Sequence, residues 1–480
     1  MGDPHPSFGW VHRPFLKTGA RWTSGAVGIS PHTGGWHAAA DKLRRWLRTW
    51  WQAPELPARL KRAIGFYNVI FQDWSGIELR PPQTMPAIAR YAKAHGIEHF
   101  LVWDMPLLGM YVRAGSAGLF EDKPERRAAL RRALDEVKAM GVTVSPLINL
   151  RLGNQHHAFW KEKGRRWAMR TQYGLPVQET LPLRRNAGAW IVPYLDQGGV
   201  RFCQANPEFQ EWALECTRTV LDLGFNAIFL DQPFSEDYCF SDEHGHPAPQ
   251  AGHEGVCGWI PRAAEIATAT VRIRTSSAKC RTSGTPSIST CGGYWDWSGL
   301  CPEVFRYVLP ESRQSWVIDA FDHQDQVGRA FALGFMLNIN VRSLERTLED
   351  VPEFADRVAK LAALHRKTAE FTILGRFMNR LGLTVETAAE VTVARYDAGD
   401  RVGIVLGEGS RCSTGGGAVR LALSPEALQG RTAGPVTLHR QDGSSTELDF
   451  RVDGGNTIVE LELGRWECAV IEMDCGPKGT

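Results

Sequence analysis

A chain of 480 residues is too long for one ordinary core and suits a barrel of roughly 250 to 350 residues plus a smaller module. A hydrophobic fraction of 43% and a charged fraction of 22% exclude a disordered chain. With 55 basic against 53 acidic residues, net +2, charge gives no basis for binding nucleic acid or an anionic membrane.

Residues 1–60 read as an N-terminal arm. After Thr33-Gly34-Gly35, helical periodicity runs from Trp36 to Trp51 through Leu43, Trp46, Leu47 and Trp50, until Pro54 and Pro57 end it. The opening Met1-Gly2-Asp3-Pro4-His5-Pro6 lacks a basic segment leading into an apolar one, so no signal peptide is expected. From about residue 63, strands alternate with helices. Ile64–Phe71, His99–Trp103, Val142–Asn149 and Ala227–Leu230 are the clearest strands, with Pro286–Thr290, Val304–Leu309, Phe331–Ile339 and Phe371–Leu374 completing the set. Between them lie predicted helices Pro86–His95, Lys123–Met140, Pro207–Leu223, Trp259–Arg274 and Val351–Thr368. Gly96-Ile97, Gly141-Val142 and Gly224-Phe225 each read as a helix-capping glycine followed by an incoming strand.

This alternation indicates parallel βαβ units, and the expected fold class is α/β: a (β/α)₈ TIM barrel over residues 61–384. No G-x-G-x-x-G follows a strand, which argues against a dinucleotide fold. No run reaches 18 apolar residues, so no membrane span is expected. Residues 385–480 carry short alternating strands at Thr392–Tyr396, Val402–Leu406, Val419–Leu423, Val436–Arg440, Thr446–Val452, Thr457–Leu463 and Cys468–Met473. They predict a C-terminal antiparallel β-sandwich, packed on the side of the barrel and available as a homo-oligomer contact. Ser410–Gly417 reads as a flexible hairpin tip.

Barrel enzymes place reacting groups where strands end, because the βα loops build the site there. The expected strands end at Gln72-Asp73-Trp74, Trp103-Asp104, Asn149-Leu150-Arg151, Asp231-Gln232-Pro233, Pro310-Glu311 and Asn338-Ile339-Asn340. Asp231 leads, because it follows the apolar Ala227-Ile228-Phe229-Leu230 and is only partly solvated at that mouth. A glycosidase needs a second carboxyl, about 5–5.5 Å away for retention or 6.5–9.5 Å for inversion. Glu311 is the first choice, Asp296 in Tyr294-Trp295-Asp296-Trp297 the rival, and Asp319 and Asp322 follow. Helix capping, turn acids and salt bridges are the structural alternatives for each.

Seventeen tryptophans suit both barrel packing and stacking on sugar rings. Trp74, Trp103, Trp295 and Trp297 are candidates for stacking, whereas Trp46 and Trp50, four apart on a helix, are expected in the core. Asp73, Asp104, Gln232, Asn149, Asn338 and Asn340 suit hydroxyl recognition, and Arg151 could hold Asp231 ionised. Cys239 to Cys257 encloses His244, His246 and His253, which admits a metal loop, substrate bonding by His244 or His246, or packing. The spacings match no common zinc pattern, so no metal ligand is assigned. Ten cysteines without a C-x-x-C read as free thiols in a reducing compartment, with the cytoplasm the expected location.

Gly35-Trp36-His37-Ala38-Ala39-Ala40-Asp41 through Trp50, then Leu230-Asp231-Gln232, His244-Gly245-His246-Pro247 and Phe305-Arg306-Tyr307-x-x-Pro310-Glu311, resemble a set of bacterial barrel proteins of unknown function. Those proteins are similar to glycoside hydrolases, and the likeness covers roughly residues 30–475. More distantly the layout looks like the α-galactosidase clan, where acids at the ends of strands four and six act as nucleophile and acid/base. The resemblance implies those roles for Asp231 and Glu311, and a binding role for Arg306. Two departures stand out. Only about sixty residues precede the barrel where a β-sandwich often stands, and Ser289-Thr290-Cys291-Gly292-Gly293 has no acid at the fifth strand.

The function expected is hydrolysis of a glycosidic bond by two carboxylates, with retention and without a cofactor, on a carbohydrate or glycoconjugate. The alternatives are a sugar-binding barrel with lost or altered catalysis, and a metal-dependent hydrolase or isomerase using His244, His246, His253 and Asp231.

Overall fold

In the computed structural model, residues 12, 14–16, 18–51, 57–71, 78–103, 124–155, 159–178, 199–230, 238–271, 293–294, 302–311, 313–341, 346–411 and 415–478 are described. Ahead of the first strand lie α1 (Trp36–Leu47) and α2 (Ala58–Arg62). The alternating part comprises β1 (Gly65–Ile70), α3 (Met85–Ala94), β2 (His99–Trp103), α4 (Pro124–Ala139) and β3 (Thr143–Ile148). It continues with β4 (Leu152–Asn154), β5 (Gly199–Arg201), α5 (Pro207–Asp222), β6 (Phe229–Leu230), β7 (Tyr238–Cys239), β8 (Gln250–Ala251) and α6 (Gly252–Val271). Then follow β9 (Gly293–Tyr294), α7 (Pro302–Val308), β10 (Ser315–Asp319), α8 (Gln324–Ala332), β11 (Met336–Asn340), α9 (Pro352–Lys367) and α10 (Ala369–Thr372).

Seven of these strands form one parallel sheet in the order β6-β3-β2-β1-β11-β10-β9. The small pairs β4–β5 and β7–β8 are antiparallel excursions beyond the ends of β3 and β6. Side-chain alternation gives the sheet two apolar faces. Tyr67, Val69, Phe100, Val102, Val144 and Ile339 share the large core that also holds Ala89 and Leu134 of the helices, while Phe66, Leu101, Leu147 and Met336 pack together with Phe229. Gly96, Gly141 and Gly224 have φ of +82°, +80° and +110°, the left-handed conformation that their capping role requires.

Several expected strands are corrected. Val304–Leu309 is helical, as α7, with Pro302 opening it and Tyr307 and Val308 recurring three and four residues after Val304. Phe371–Leu374 contributes to α10, and Phe331–Ile339 divides between α8 and β11 at Gly334, φ +71°. Ser315–Asp319, not among the expected strands, is the fully buried β10. Trp46 is 57% exposed rather than core, because α1 turns Ala40, Arg44 and Leu47 inward and sets the Arg44 guanidinium 4.8 Å from the Tyr307 ring centre. Cys203, Cys216, Cys239, Cys468 and Cys475 are free thiols as expected, whereas Cys257 is disulfide-bonded. Among the described residues no helix is long and apolar enough to cross a membrane.

The C-terminal region is antiparallel. It comprises β12 (Arg376–Asn379), β13 (Leu383–Thr387), β14 (Val391–Ala398), β15 (Arg401–Glu408) and β16 (Gly416–Leu423). β17 (Arg431–Arg440), β18 (Ser445–Glu447), β19 (Phe450–Asp453), β20 (Asn456–Gly464) and β21 (Cys468–Lys478) complete it. The sheet β12-β14-β15-β21-β17-β18 faces the sheet β13-β16-β20-β19, and Ile404, Leu406 and Ile471 of the first share a core with Leu421, Val459 and Leu461 of the second. The expected strand Thr446–Val452 is two strands, β18 and β19, one in each sheet.

This region docks on α8 and α9. A Cβ on Gly407 would lie 2.0 Å from the Gly328 carbonyl oxygen, so α8 crosses β15 backbone against backbone. Arg357 donates to the carbonyls of Gln324 (2.6 Å) and Trp466 (3.0 Å). Glu408, fully buried, accepts the N–H groups of Ser410 (3.0 Å), Gly416 (3.2 Å) and Trp466 (2.6 Å). Burial alone would raise its pKa, but the bonds from Ser410, Trp466 and Gly416 outweigh it and hold the carboxyl below the ordinary glutamate value. The stabilisation is therefore complete above the unfolded value near 4.3 and is lost as pH falls through the lower folded value. Denaturant unfolding of Glu408→Gln at neutral pH is expected to show a loss of about 2–3 kcal/mol, with a shallower decline toward acid than wild type. An identical acid slope in both proteins would rule this role out.

Candidate functional site

Asn68, Asn338, Asn340 and Asp319 of the parallel sheet, with Asn149 and Arg151 just past β3, lie beyond the apolar Phe66, Leu101, Leu147 and Met336 toward the C-terminal ends of the strands, while His99, Thr143, Ser145 and Ser315 lie toward the opposite end. Asn68 of β1 is buried and bonds through Nδ2 to Asn338 Oδ1 and to the Ile339 carbonyl at 3.0 Å. Asn340 Nδ2 donates to the Asn338 carbonyl at 3.3 Å. Asp319 stands beside Asn340 in register, buried, with Oδ1 accepting the N–H groups of Phe321 (3.0 Å) and Asp322 (3.2 Å). Just beyond β3, Asn149 Oδ1 accepts the Arg151 N–H at 3.0 Å, and both side chains are buried. At the opposite end, His99 opens β2 with Nε2 2.9 Å from Ser145 Oγ, and burial depresses its pKa to about 4, so the ring is neutral.

Glu311 does not share this location. It follows α7 and precedes β10, at the end of the sheet where strands begin, and its exposed carboxylate pairs with Arg48 at 3.3 Å. The helical conformation of residues 302–308 is the reason: the acid expected at a strand's exit stands at a strand's entrance. Arg306 likewise turns from the sheet mouth to the C-terminal region, donating to the Pro310 carbonyl and lying 5.5 Å from the Phe377 ring centre. Trp103 is the last residue of β2 and His253 lies in α6. Asp73, Trp74, Asp104, Asp231, Gln232, Trp295, Asp296 and Trp297 lie outside the described residues.

His244 and His246 belong to a second group, together with Cys203 and Cys239, in which all four ligand atoms lie within 4.8 Å of one another. Sequence spacing missed Cys203, which β5 delivers from a different excursion. Asn68 was also hidden, by its position in the middle of an apolar strand, whereas Asp319 was among the candidate acids although its strand was not expected.

Residues 23–284, more than half of the chain, match the family described as a domain of unknown function, DUF6259. The chain belongs to that family. No curated protein matches it in sequence. Among solved structures, it is similar to α-L-fucosidase isoenzyme 2 from Paenibacillus thiaminolyticus at 10% identity and a TM-score of 0.57, over 86% of this chain and 100% of that one. A maltogenic α-amylase, AmyB from Thermotoga neapolitana, gives 11% identity and a TM-score of 0.52 over 86% and 99%. The α-galactosidase AgaA from Geobacillus stearothermophilus gives 10% and 0.51 over 92% of this chain and 59% of that one. The shared feature is the fold: a curled parallel sheet with helices, followed by antiparallel sheets.

Proposed function

We propose that the protein is a glycoside hydrolase whose parallel sheet closes into a (β/α)₈ barrel, with Asp231 as nucleophile. The observation that carries this reading is the grouping of Asn68, Asn149, Arg151, Asp319, Asn338 and Asn340 toward the C-terminal ends of the parallel strands in a glycosidase-like fold. Residues 272–292 lie between α6 and β9, and so between the two edge strands β6 and β9 that closure must join. The catalytic unit, expected over residues 61–384, then ends with α10, since β12 already pairs with β14.

Asp231 follows Phe229 by two residues, and on the period-two alternation of a strand it continues the inner face. With Glu311 at the wrong end, the acid/base role falls to Asp296, the rival acid of the sequence, which follows β9 in the chain. In sequence, these two acids come directly after β6 and shortly after β9, the edge strands of the parallel sheet. Attack by Asp231 on the anomeric carbon forms a covalent glycosyl-enzyme while Asp296 protonates the leaving oxygen. Asp296 then deprotonates the water that releases the sugar with retention. Asp73, Trp74, Trp103, Asp104, Asn149, Arg151, Gln232, Trp295, Trp297, Asn338 and Asn340 line the sugar site, Arg151 helping to keep Asp231 ionised.

A panel of aryl α- and β-glycosides tests the reading, with the anomer of the first product followed by NMR. Turnover with retention, lost in Asp296→Asn for poor leaving groups but spared for activated ones, is the expected result. Saturable sugar binding with no turnover of any glycoside would replace it with the sugar-binding alternative.

A further inference from the structure

The second group of polar side chains has a chemistry that glycoside hydrolysis does not use. Cys203 follows β5, Cys239 ends β7, and His244 and His246 lie in the turn that leads to β8. Cys203 Sγ is 3.1 Å from His246 Nε2, and Cys239 Sγ is 3.3 Å from His244 Nδ1. His246 Nδ1 lies 3.0 Å from the Pro247 carbonyl, to which it donates its proton, leaving Nε2 as a bare lone pair toward the sulfur. Cys203, Cys239 and His244 are buried, and Met169, Val177 and Ala205 wrap the two sulfurs in apolar surface.

Packing alone does not ask for two thiols and two imidazoles from two separate excursions to meet: all four ligand atoms lie within 4.8 Å of one another, three of the four residues are buried, and apolar surface wraps the sulfurs. A divalent cation at that point would hold both sulfurs as thiolates and balance their charge.

We propose that Cys203, Cys239, His244 and His246 form a structural Cys₂His₂ zinc site that clamps the excursion after β3 to the excursion after β6. Thiolate and imidazole in this ratio select zinc, and four protein ligands fill its tetrahedral shell, leaving no position for substrate or water. Zinc at about 2.3 Å from sulfur and about 2.05 Å from nitrogen sets neighbouring ligand atoms about 3.5 Å apart, so the observed 3.1 and 3.3 Å edges need to open by only a few tenths of an ångström. The clamp lies beside the candidate active site: the Arg151 carbonyl accepts the Phe202 N–H at 2.8 Å, one residue before Cys203. Zinc here would hold the exit of β3, where Asn149 and Arg151 stand, and the excursion that follows β6.

The test uses the full chain, purified under reductant from zinc-supplemented medium. Elemental analysis is expected to give about one equivalent of zinc per chain, falling below roughly a tenth in Cys203→Ser and in Cys239→Ser and unchanged in Cys475→Ser. His246→Cys should keep the zinc that His246→Ala loses, which separates ligation from packing. Cobalt(II) exchanged into the wild type should show the thiolate charge-transfer and intense visible bands of a tetrahedral sulfur-ligated ion, a readout that needs no variant to fold. Wild type that holds under a tenth of an equivalent and gives no such cobalt spectrum overturns the proposal, as does full zinc content in both serine variants. A Cys203–Cys239 disulfide in the folded protein overturns it as well.

Discussion

Asp231→Asn is expected to lower kcat/KM on any glycoside the protein cleaves by about 10⁴-fold while leaving the thermal midpoint within a degree or two of wild type. The amide keeps the size and polarity of the carboxylate but cannot form the glycosyl-enzyme, so the whole nucleophilic path is lost and only positioning by the rest of the site remains. Small anions such as azide should restore part of the rate on activated substrates, giving a glycosyl azide of inverted configuration. Two comparison variants make the measurement specific. Glu311→Gln removes only the exposed pair with Arg48 and should leave kcat unchanged, since such pairs contribute about 0–1 kcal/mol. Asp319→Asn disturbs the buried turn acceptor for Phe321 and Asp322 and should act more on stability than on turnover. Unchanged activity in Asp231→Asn would remove that residue from the mechanism.

The second large effect is structural. Gly407→Ala is expected to destabilise the protein by about 3 kcal/mol or more, read as a lower urea midpoint. The added methyl would meet the Gly328 carbonyl at 2.0 Å, and neither backbone can yield: Gly328 sits within α8, and Gly407 is paired on both sides, with Thr392 and with Cys468. A flexible side chain at that distance would rotate away, but a peptide group in a helix cannot. A midpoint within experimental scatter of wild type would show that the two elements separate more freely than their packing implies.

Much of the fold was legible because its signals are local. The capping glycines Gly96, Gly141 and Gly224 and the apolar runs of β1, β2 and β3 identify their elements unaided. The segment from 302 to 340 was harder for a physical reason. A buried helix and a buried strand both show short apolar runs, and Val304–Leu309 is too short for periodicity to separate them. That single ambiguity put Glu311 at a strand's exit, where the structure has it at a strand's entrance. Cys203 could not be read as a partner of His246, because only the docking of two excursions brings them together. By contrast, the Cys239, His244 and His246 part of the group lies within one stretch and was visible as a candidate metal loop.

The pairing of β1 with β11 has a consequence for how the chain acquires its shape. Gly65 aligns with Leu337, so one edge of β1 stays without its neighbour until nearly all of the parallel sheet has left the ribosome. At roughly 5–20 residues per second that interval is on the order of tens of seconds. Throughout it, the apolar strand Gly65–Ile70 presents open backbone groups to any other extended chain. Such long-range closure makes for slow folding, and it makes the nascent chain, rather than the finished protein, the state most exposed to aggregation.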